Sequence, residues 1–347
     1  MSHDYERPVT PSSGLRLHLN ENTAGCSTAV LEALRSITCT QAAFYPDYSQ
    51  AIAACARHLR VAEENLLLTN GLDEGILAIS VAAFRRSPER APFEAIVIAP
   101  AFDMYAASAD AAGGLVIEVR QPDDFSFPLG EVLARINDRT RLVFLTSPNN
   151  PTGLVIPRET VFVIADAAPN ATVFLDEAYA DFSGTSLIGD PDAATRPNIV
   201  IGRTFAKAYG LAGIRVGALV GSPDTLLPIR RVVPPYSINI AAAAALPAAL
   251  DDRDHLERYL RETSESKQML YEALDRLKVP YWRSEANFVF ARFGDRATQV
   301  VAGLQARGIY VRDRSSDQAC RGCVRITTGV TSHTRDCITA IEEVLCP

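Results

Sequence analysis

RTFAKAYGLAGIRVG, residues Arg203 to Gly217, begins at the end of the apolar run Asn198–Thr204 and holds one of only three lysines in a chain with 31 arginines. The run reads as a buried strand. An amine just beyond its end is partly desolvated, which lowers its pKa and makes it nucleophilic. Lys267 and Lys278 instead lie in or beside the charged stretch Asp252 to Lys278, which reads as a solvated helix. Arg203, Thr204 and Arg215 surround Lys207 with a hydroxyl and two fixed cations, the equipment that holds an anion.

Outward from this stretch, short runs rich in Val, Ile and Leu recur at Asn65–Leu68, Glu94–Ala99, Leu115–Val119, Leu142–Thr146, Thr172–Leu175, Asn198–Gly202 and Val216–Gly221. Nearly all but the last two are separated by an amphipathic stretch. Continuous apolar runs alternating with helices are the pattern of a parallel sheet buried on both faces. The expected fold is α/β: a large domain, residues 38–252, with a mostly parallel seven-stranded sheet covered by helices. After residue 252 come a long charged helix (Asp252–Lys278), a strand (Asn287–Ala291), a helix (Asp295–Gln305), short strands around Tyr310 and Arg325, and a closing helix from Thr334. Residues 253–347 are expected to form a smaller α+β domain, with residues 1–37 as an N-terminal arm folding back onto it.

Open α/β sheets place their chemistry at the carboxyl ends of the strands. The first run ends in Thr69-Asn70-Gly71-Leu72-Asp73-Glu74, where a glycine opens a helix and leaves backbone N–H groups free for an anion. Pro100-Ala101-Phe102 puts an aromatic at the second strand's end. In Ser147-Pro148-Asn149-Asn150-Pro151-Thr152-Gly153 prolines bracket two amides, which marks Asn150 as a positioned side chain. Phe174-Leu175-Asp176-Glu177-Ala178-Tyr179 sets a carboxylate at the mouth of a buried strand, where a charge needs a partner.

Composition limits the alternatives. The 347 residues are 48% hydrophobic and 22% charged with a net charge of −7, which describes a globular chain with no basic character for nucleic acid. No apolar run reaches the roughly 18 residues of a membrane span and the first ten residues are polar, so the expected location is the cytoplasm. Seven cysteines spread over the chain form no disulfide framework. Cys320 and Cys323 make a C-x-x-C without a second pair at zinc spacing. No metal is expected, and the two read as loop and strand-entry residues.

One cofactor requires the set at the strand ends. Pyridoxal 5′-phosphate needs an amine for its aldehyde, a carboxylate to keep its ring nitrogen protonated, donors for its phenolic oxygen, an aromatic over the ring and a cradle for its phosphate. Lys207, Asp176, Asn150 with Tyr179, Phe102, and the helix start at Asp73 with Thr204 and Arg215 match those needs. Moreover, the Ser147–Gly153 motif, Asp176-Glu177-Ala178-Tyr179 and the K-x-x-x-L-A-G-x-R-x-G spacing from Lys207 to Gly217 resemble the pyridoxal-phosphate aminotransferases of fold type I, classes I and II. That resemblance implies Lys207 on the aldehyde, Asp176 on the ring nitrogen, and Asn150 and Tyr179 on the phenolic oxygen. It places Phe102 and Ala178 on the ring's two faces. It gives the phosphate to the backbone amides of Leu72 and Asp73, the hydroxyl of Thr204 and the guanidinium of Arg215. Tyr45 resembles the tyrosine that reaches the neighbouring subunit's cofactor, which implies a homodimer. Ala206 stands where that family usually has a serine, and Leu72 where a small residue is usual.

Within the superfamily, Asn20-Glu21-Asn22, Tyr45-Pro46-Asp47, Gly71-Leu72-Asp73-Glu74, Pro100-Ala101-Phe102-Asp103-Met104-Tyr105, Asn287-Phe288, Val311-Arg312-Asp313 and Val324-Arg325-Ile326-Thr327-Thr328-Gly329 are similar to histidinol-phosphate aminotransferase. The resemblance implies Arg312 and Arg325 on the substrate's phosphate, with Asn20 also at the substrate. In relatives acting on amino acids, the arginine matching Arg325 takes the α-carboxylate. The expected partners are an amino donor (histidinol phosphate or a related imidazole or aromatic amino compound) and a 2-oxo acid acceptor, 2-oxoglutarate, returned as glutamate. A lyase of the threonine-phosphate decarboxylase kind uses the same scaffold and stays open. A non-catalytic sensor module is disfavoured by the lack of a helix-turn-helix segment or basic patch.

Overall fold

The computed structural model describes residues 11–85 and 91–346; the part of the arm before Pro11 lies outside them. Its strands are β1 (Leu15–Leu17), β2 (Leu66–Thr69), β3 (Glu94–Ala99), β4 (Leu115–Arg120), β5 (Thr140–Thr146), β6 (Thr172–Asp176), β7 (Ile199–Thr204), β8 (Gly217–Val220), β9 (Tyr281–Trp282), β10 (Phe288–Arg292), β11 (Ile309–Asp313) and β12 (Cys323–Thr327). Seven of them form one sheet in the order β2-β8-β7-β6-β5-β3-β4. β4, β3, β5, β6 and β7 are mutually parallel, while β8 runs antiparallel to both β7 and β2. The reversal follows from the connection. Parallel neighbours need a crossover, usually a helix, and the β7–β8 link is the short loop that carries Lys207.

Both faces of this sheet are buried except along the edge strand β4, where only Val119 is buried. Ile96, Ile98, Val143, Leu145, Val173, Leu175, Ile199 and Ile201 point to one core with helices Ser49–Leu59, Arg158–Ala167 and Ile240–Asp251. Their neighbours Ala95, Val97, Leu142, Phe144, Phe174 and Val200 point to another with helices Leu72–Phe84 and Pro223–Arg230. The period of two between the sets is the pleat itself.

A second, five-stranded sheet has the order β1-β11-β12-β10-β9. Its core joins Val289, Val324 and Ile326 to Leu270 and Leu274 of helix Arg253–Arg276, Leu304 of helix Ala297–Ala306 and Ile338 of helix Thr331–Leu345. The segment before Ile37 divides between the two cores. β1 pairs in parallel with β11, whereas helix Thr28–Arg35 buries Val30 against the large sheet's core. Among the described residues no helix is long and apolar enough to cross a membrane, and no group of three His, Cys, Asp or Glu side chains could hold a metal ion. Cys320 ends a turn and Cys323 opens β12. Both are buried free thiols, and burial pushes Cys320 up to about 12.

Candidate active site

The carboxyl ends of β2, β3, β5, β6 and β7 converge on a cavity of about 710 Å³ whose far wall comes from β11, β12 and the chain after β1. Lys207 sits just beyond the end of β7, and its Nζ donates to the Leu19 carbonyl at 3.0 Å. Desolvation lowers this amine to about 8, and the nearby guanidinium of Arg325 pushes the same way. Asp176, at the end of β6, is only 4% exposed. Burial raises its carboxyl to about 6, against the donated hydrogen bonds of Tyr105 Oη at 2.6 Å and Ala178 N at 2.8 Å. An amine pushed down and a carboxyl pushed up in one cavity mark a site prepared for chemistry.

Phe102, Ala178 and Tyr179 line the same cavity. The Tyr179 hydroxyl accepts from Asn20 Nδ2 at 2.9 Å, which ties the end of β6 to the N-terminal segment. Asn150 Oδ1 accepts from Arg325 Nη1. Its neighbour Asn149 turns away and donates to Pro100 O at 3.2 Å and Thr152 Oγ1 at 3.0 Å. One amide therefore braces the turn and the other faces the cavity.

An anion cradle closes one side. Leu72 and Asp73 open helix Leu72–Phe84, so their N–H groups have no intrahelical partner. Thr204 and Arg215 line the same corner. A Cβ on Gly71, at φ +74°, would lie 2.5 Å from Arg215 Nη2. One on Gly217 would lie 2.9 Å from Leu72 N, so only glycine lets the guanidinium and the helix start approach each other here. The Asp73 side chain accepts from Arg215 Nη2 at 2.8 Å and aims the guanidinium.

One expectation needs correction. Arg203 is not part of the cradle. Successive strand residues face opposite ways, so Thr204 faces the cavity while Arg203 is buried behind it, paired with Asp181 at 2.6 Å and Glu177 at 3.5 Å. Tyr45 does not line the cavity: it is 77% exposed and stacks on Tyr236, ring centroids 4.1 Å apart. Sequence reasoning also passed over Tyr105, which joins Asp176 to Thr146 Oγ1 at 2.9 Å. Nothing local in the sequence marks it, because its partner Asp176 lies 71 positions away.

Residues 12–341 match the family described as aminotransferase class I and II. The chain belongs to that family. It is 33% identical to the histidinol-phosphate aminotransferase of Moorella thermoacetica, covering 99% of this chain and 88% of that one. It is 32% identical to the enzyme of the same name from Methanococcoides burtonii, covering 97% and 91%. Among solved structures it is similar to histidinol-phosphate aminotransferase from Sinorhizobium meliloti in complex with pyridoxal 5′-phosphate, with a TM-score of 0.84, 28% identity, and coverage of 96% and 90%.

This aminotransferase is a pyridoxal-phosphate-dependent enzyme of fold type I, and its cavity fits the cofactor. The glycine-lined cradle supplies free N–H groups and a guanidinium for a phosphate. The buried Asp176 supplies the acceptor that a protonated ring nitrogen needs. Buried Arg203 serves the scaffold instead. Arg203→Met leaves Glu177 and Asp181 unpaired in the interior and is expected to cost about 3–5 kcal/mol. A urea denaturation midpoint that does not move would show the cluster to be dispensable.

Proposed function

We propose that this aminotransferase moves an amino group between a phosphate-bearing amino compound of the histidinol-phosphate type and a 2-oxo acid, with 2-oxoglutarate and glutamate as the acceptor pair. The register of the small sheet carries the reading: Arg312 and Arg325 stand directly opposite each other on β11 and β12, and both line the cavity. Like charges opposed across strands repel. Arg325 is also 6% exposed, and burial lowers its guanidinium to about 10. A dianionic group between the two removes the repulsion and uses both forks. The names of the relatives support the same substrate.

Pyridoxal 5′-phosphate, when bound, supplies an aldehyde that takes up amino groups and a protonated ring that withdraws electrons from the carbon being deprotonated. The chain's own residues do the rest. Lys207 would hold the aldehyde, and its amine, when free, would take a proton from the substrate carbon near neutrality. Asp176 holds the proton on the ring nitrogen. Asn150 and Tyr179 hold the phenolic oxygen, and Phe102 and Ala178 flank the ring. Leu72 and Asp73 N–H, Thr204 and Arg215 bind the cofactor's phosphate, and Asn20 steadies the substrate side. Residues 38–252 carry this cofactor site, and 253–347 with the N-terminal segment carry the substrate arginines. The protein works as a homodimer, with Tyr45 reaching the partner's site; the exposure of Phe44, Tyr45 and Tyr236 supports such a contact.

The test is a single-turnover absorbance experiment on the cofactor-loaded protein. L-glutamate and histidinol phosphate, added separately, are both expected to discharge the near-visible cofactor band. Discharge by glutamate alone would refute the phosphate-bearing donor, and release of carbon dioxide without any 2-oxo acid would select a decarboxylase.

A further inference from the structure

Arg314 stands two residues beyond Arg312, where β11 pairing continues through its N–H to the Cys323 carbonyl at 3.0 Å. Residues two apart on an extended strand share a face, and Arg314 lines the cavity beside Arg312 and Arg325. Its side chain is only 12% exposed. Its carboxylate contacts are long: Asp103 Oδ2 accepts from Nη1 at 3.5 Å and Asp317 Oδ2 lies 4.0 Å from Nη2. Its Nε is buried without a partner. A buried guanidinium with under-used donors carries an uncompensated desolvation cost. Asp103, by contrast, is 44% exposed. It begins helix Met104–Ala111 next to Phe102, on the side of the large sheet, so the Asp103–Arg314 pair spans the cavity from one sheet's side to the other's.

We propose that Arg314 is a third anion-binding side chain of this site and that Asp103 holds it in readiness, releasing it when the phosphate group of the substrate arrives. The inference rests on the phosphate-bearing donor proposed above. Arg314 reaches a dianion already clasped by Arg312 and Arg325, and Asp103, half in water, loses little when its partner leaves. The exchange makes the site selective. A substrate with a single negative charge or none competes poorly with Asp103 for Arg314, whereas a phosphate monoester replaces a long ion pair with short charge-assisted hydrogen bonds.

Two measurements on the cofactor-loaded enzyme test this: the Kd for inorganic phosphate by titration calorimetry, and the ratio of kcat/KM for histidinol phosphate over histidinol. Arg314→Gln is expected to weaken phosphate binding and shrink the ratio by about tenfold or more, mainly through KM, with partial recovery in Arg314→Lys. Asp103→Asn is expected to act in the opposite direction and tighten phosphate several-fold, because Arg314 is then free. Arg314→Gln with an unchanged ratio, or with both substrates reduced equally, overturns the proposal. So does Asp103→Asn weakening phosphate, and that sign decides the matter alone if Arg314→Gln does not fold. A wild-type enzyme that neither binds phosphate nor distinguishes the two substrates removes the donor assignment and this inference with it. A wild type that does both, beside an Arg314→Gln enzyme that does them equally well, removes this inference only.

Discussion

Lys207→Ala is expected to abolish turnover while leaving the fold intact, a loss of about a thousandfold or more in kcat. The amine has no substitute. The chain's other two lysines are Lys267, whose Nζ is bonded to Ser284 O, and Lys278, which follows the long helix. Nor should the replacement disturb packing, because the Lys207 side chain faces the cavity and its one hydrogen bond goes to a carbonyl, Leu19 O, that water can satisfy. The same setting makes a pH prediction. Only the unprotonated amine attacks an aldehyde, and desolvation with the Arg325 charge brings Lys207 down to about 8. Capture of pyridoxal 5′-phosphate by cofactor-free protein should therefore accelerate as pH rises and level off above about 8, well below the pH at which an ordinary lysine levels off. Borohydride reduction and peptide mapping should find the label on Lys207 alone. Full activity in the alanine variant, or label on Lys267, would remove the assignment.

What was legible in the sequence, and what was not, divides along a physical line. The inner strands of the large sheet could be read because both of their faces are buried and few residue types survive there. The cavity could be read because parallel strands deliver their carboxyl ends to one edge. That edge brings Asn150, Asp176 and Lys207 together although connections of about thirty residues separate them. Direction within a strand was harder. Arg203 and Thr204 are adjacent in sequence and share a composition signal, but the pleat sends one to the cradle and the other to Asp181. Contacts made across the fold left no local signature. Tyr105 reaches Asp176 over 71 positions, and Arg314 reaches Asp103 over 211. β1 and β9, with three and two residues, are too short to show a period. Their pairing is decided by what already surrounds them.

Asp176→Ala is expected to lower kcat by roughly 100-fold or more and to weaken cofactor retention, because it removes the one buried carboxylate assigned to the ring nitrogen. Tyr105→Phe tests how that carboxylate is held. Its hydroxyl is one of two donors to Asp176, and removing a single hydrogen bond to a charged group costs about 1.5–3 kcal/mol, so an intermediate loss of about tenfold or more is expected. Linkage separates the role of Asp176 from simple packing. In the cofactor-free protein burial raises this carboxyl from its ordinary value near 4 to about 6. Within that window the folded state keeps a proton that the unfolded state has released, so stability falls as pH rises from about 4 to about 6. A cationic ring nitrogen facing Asp176 favours the carboxylate and abolishes that slope. Stabilisation by the cofactor should therefore grow with pH across the window in the wild type. In Asp176→Ala it should be flat, and in Tyr105→Phe, whose carboxyl has lost a donor and titrates higher, the window should extend upward. Tm profiles of loaded and cofactor-free protein from pH 4 to pH 7 read all three. Parallel wild-type profiles would mean that Asp176 and the ring nitrogen are not partners, whatever the alanine variant does to the rate.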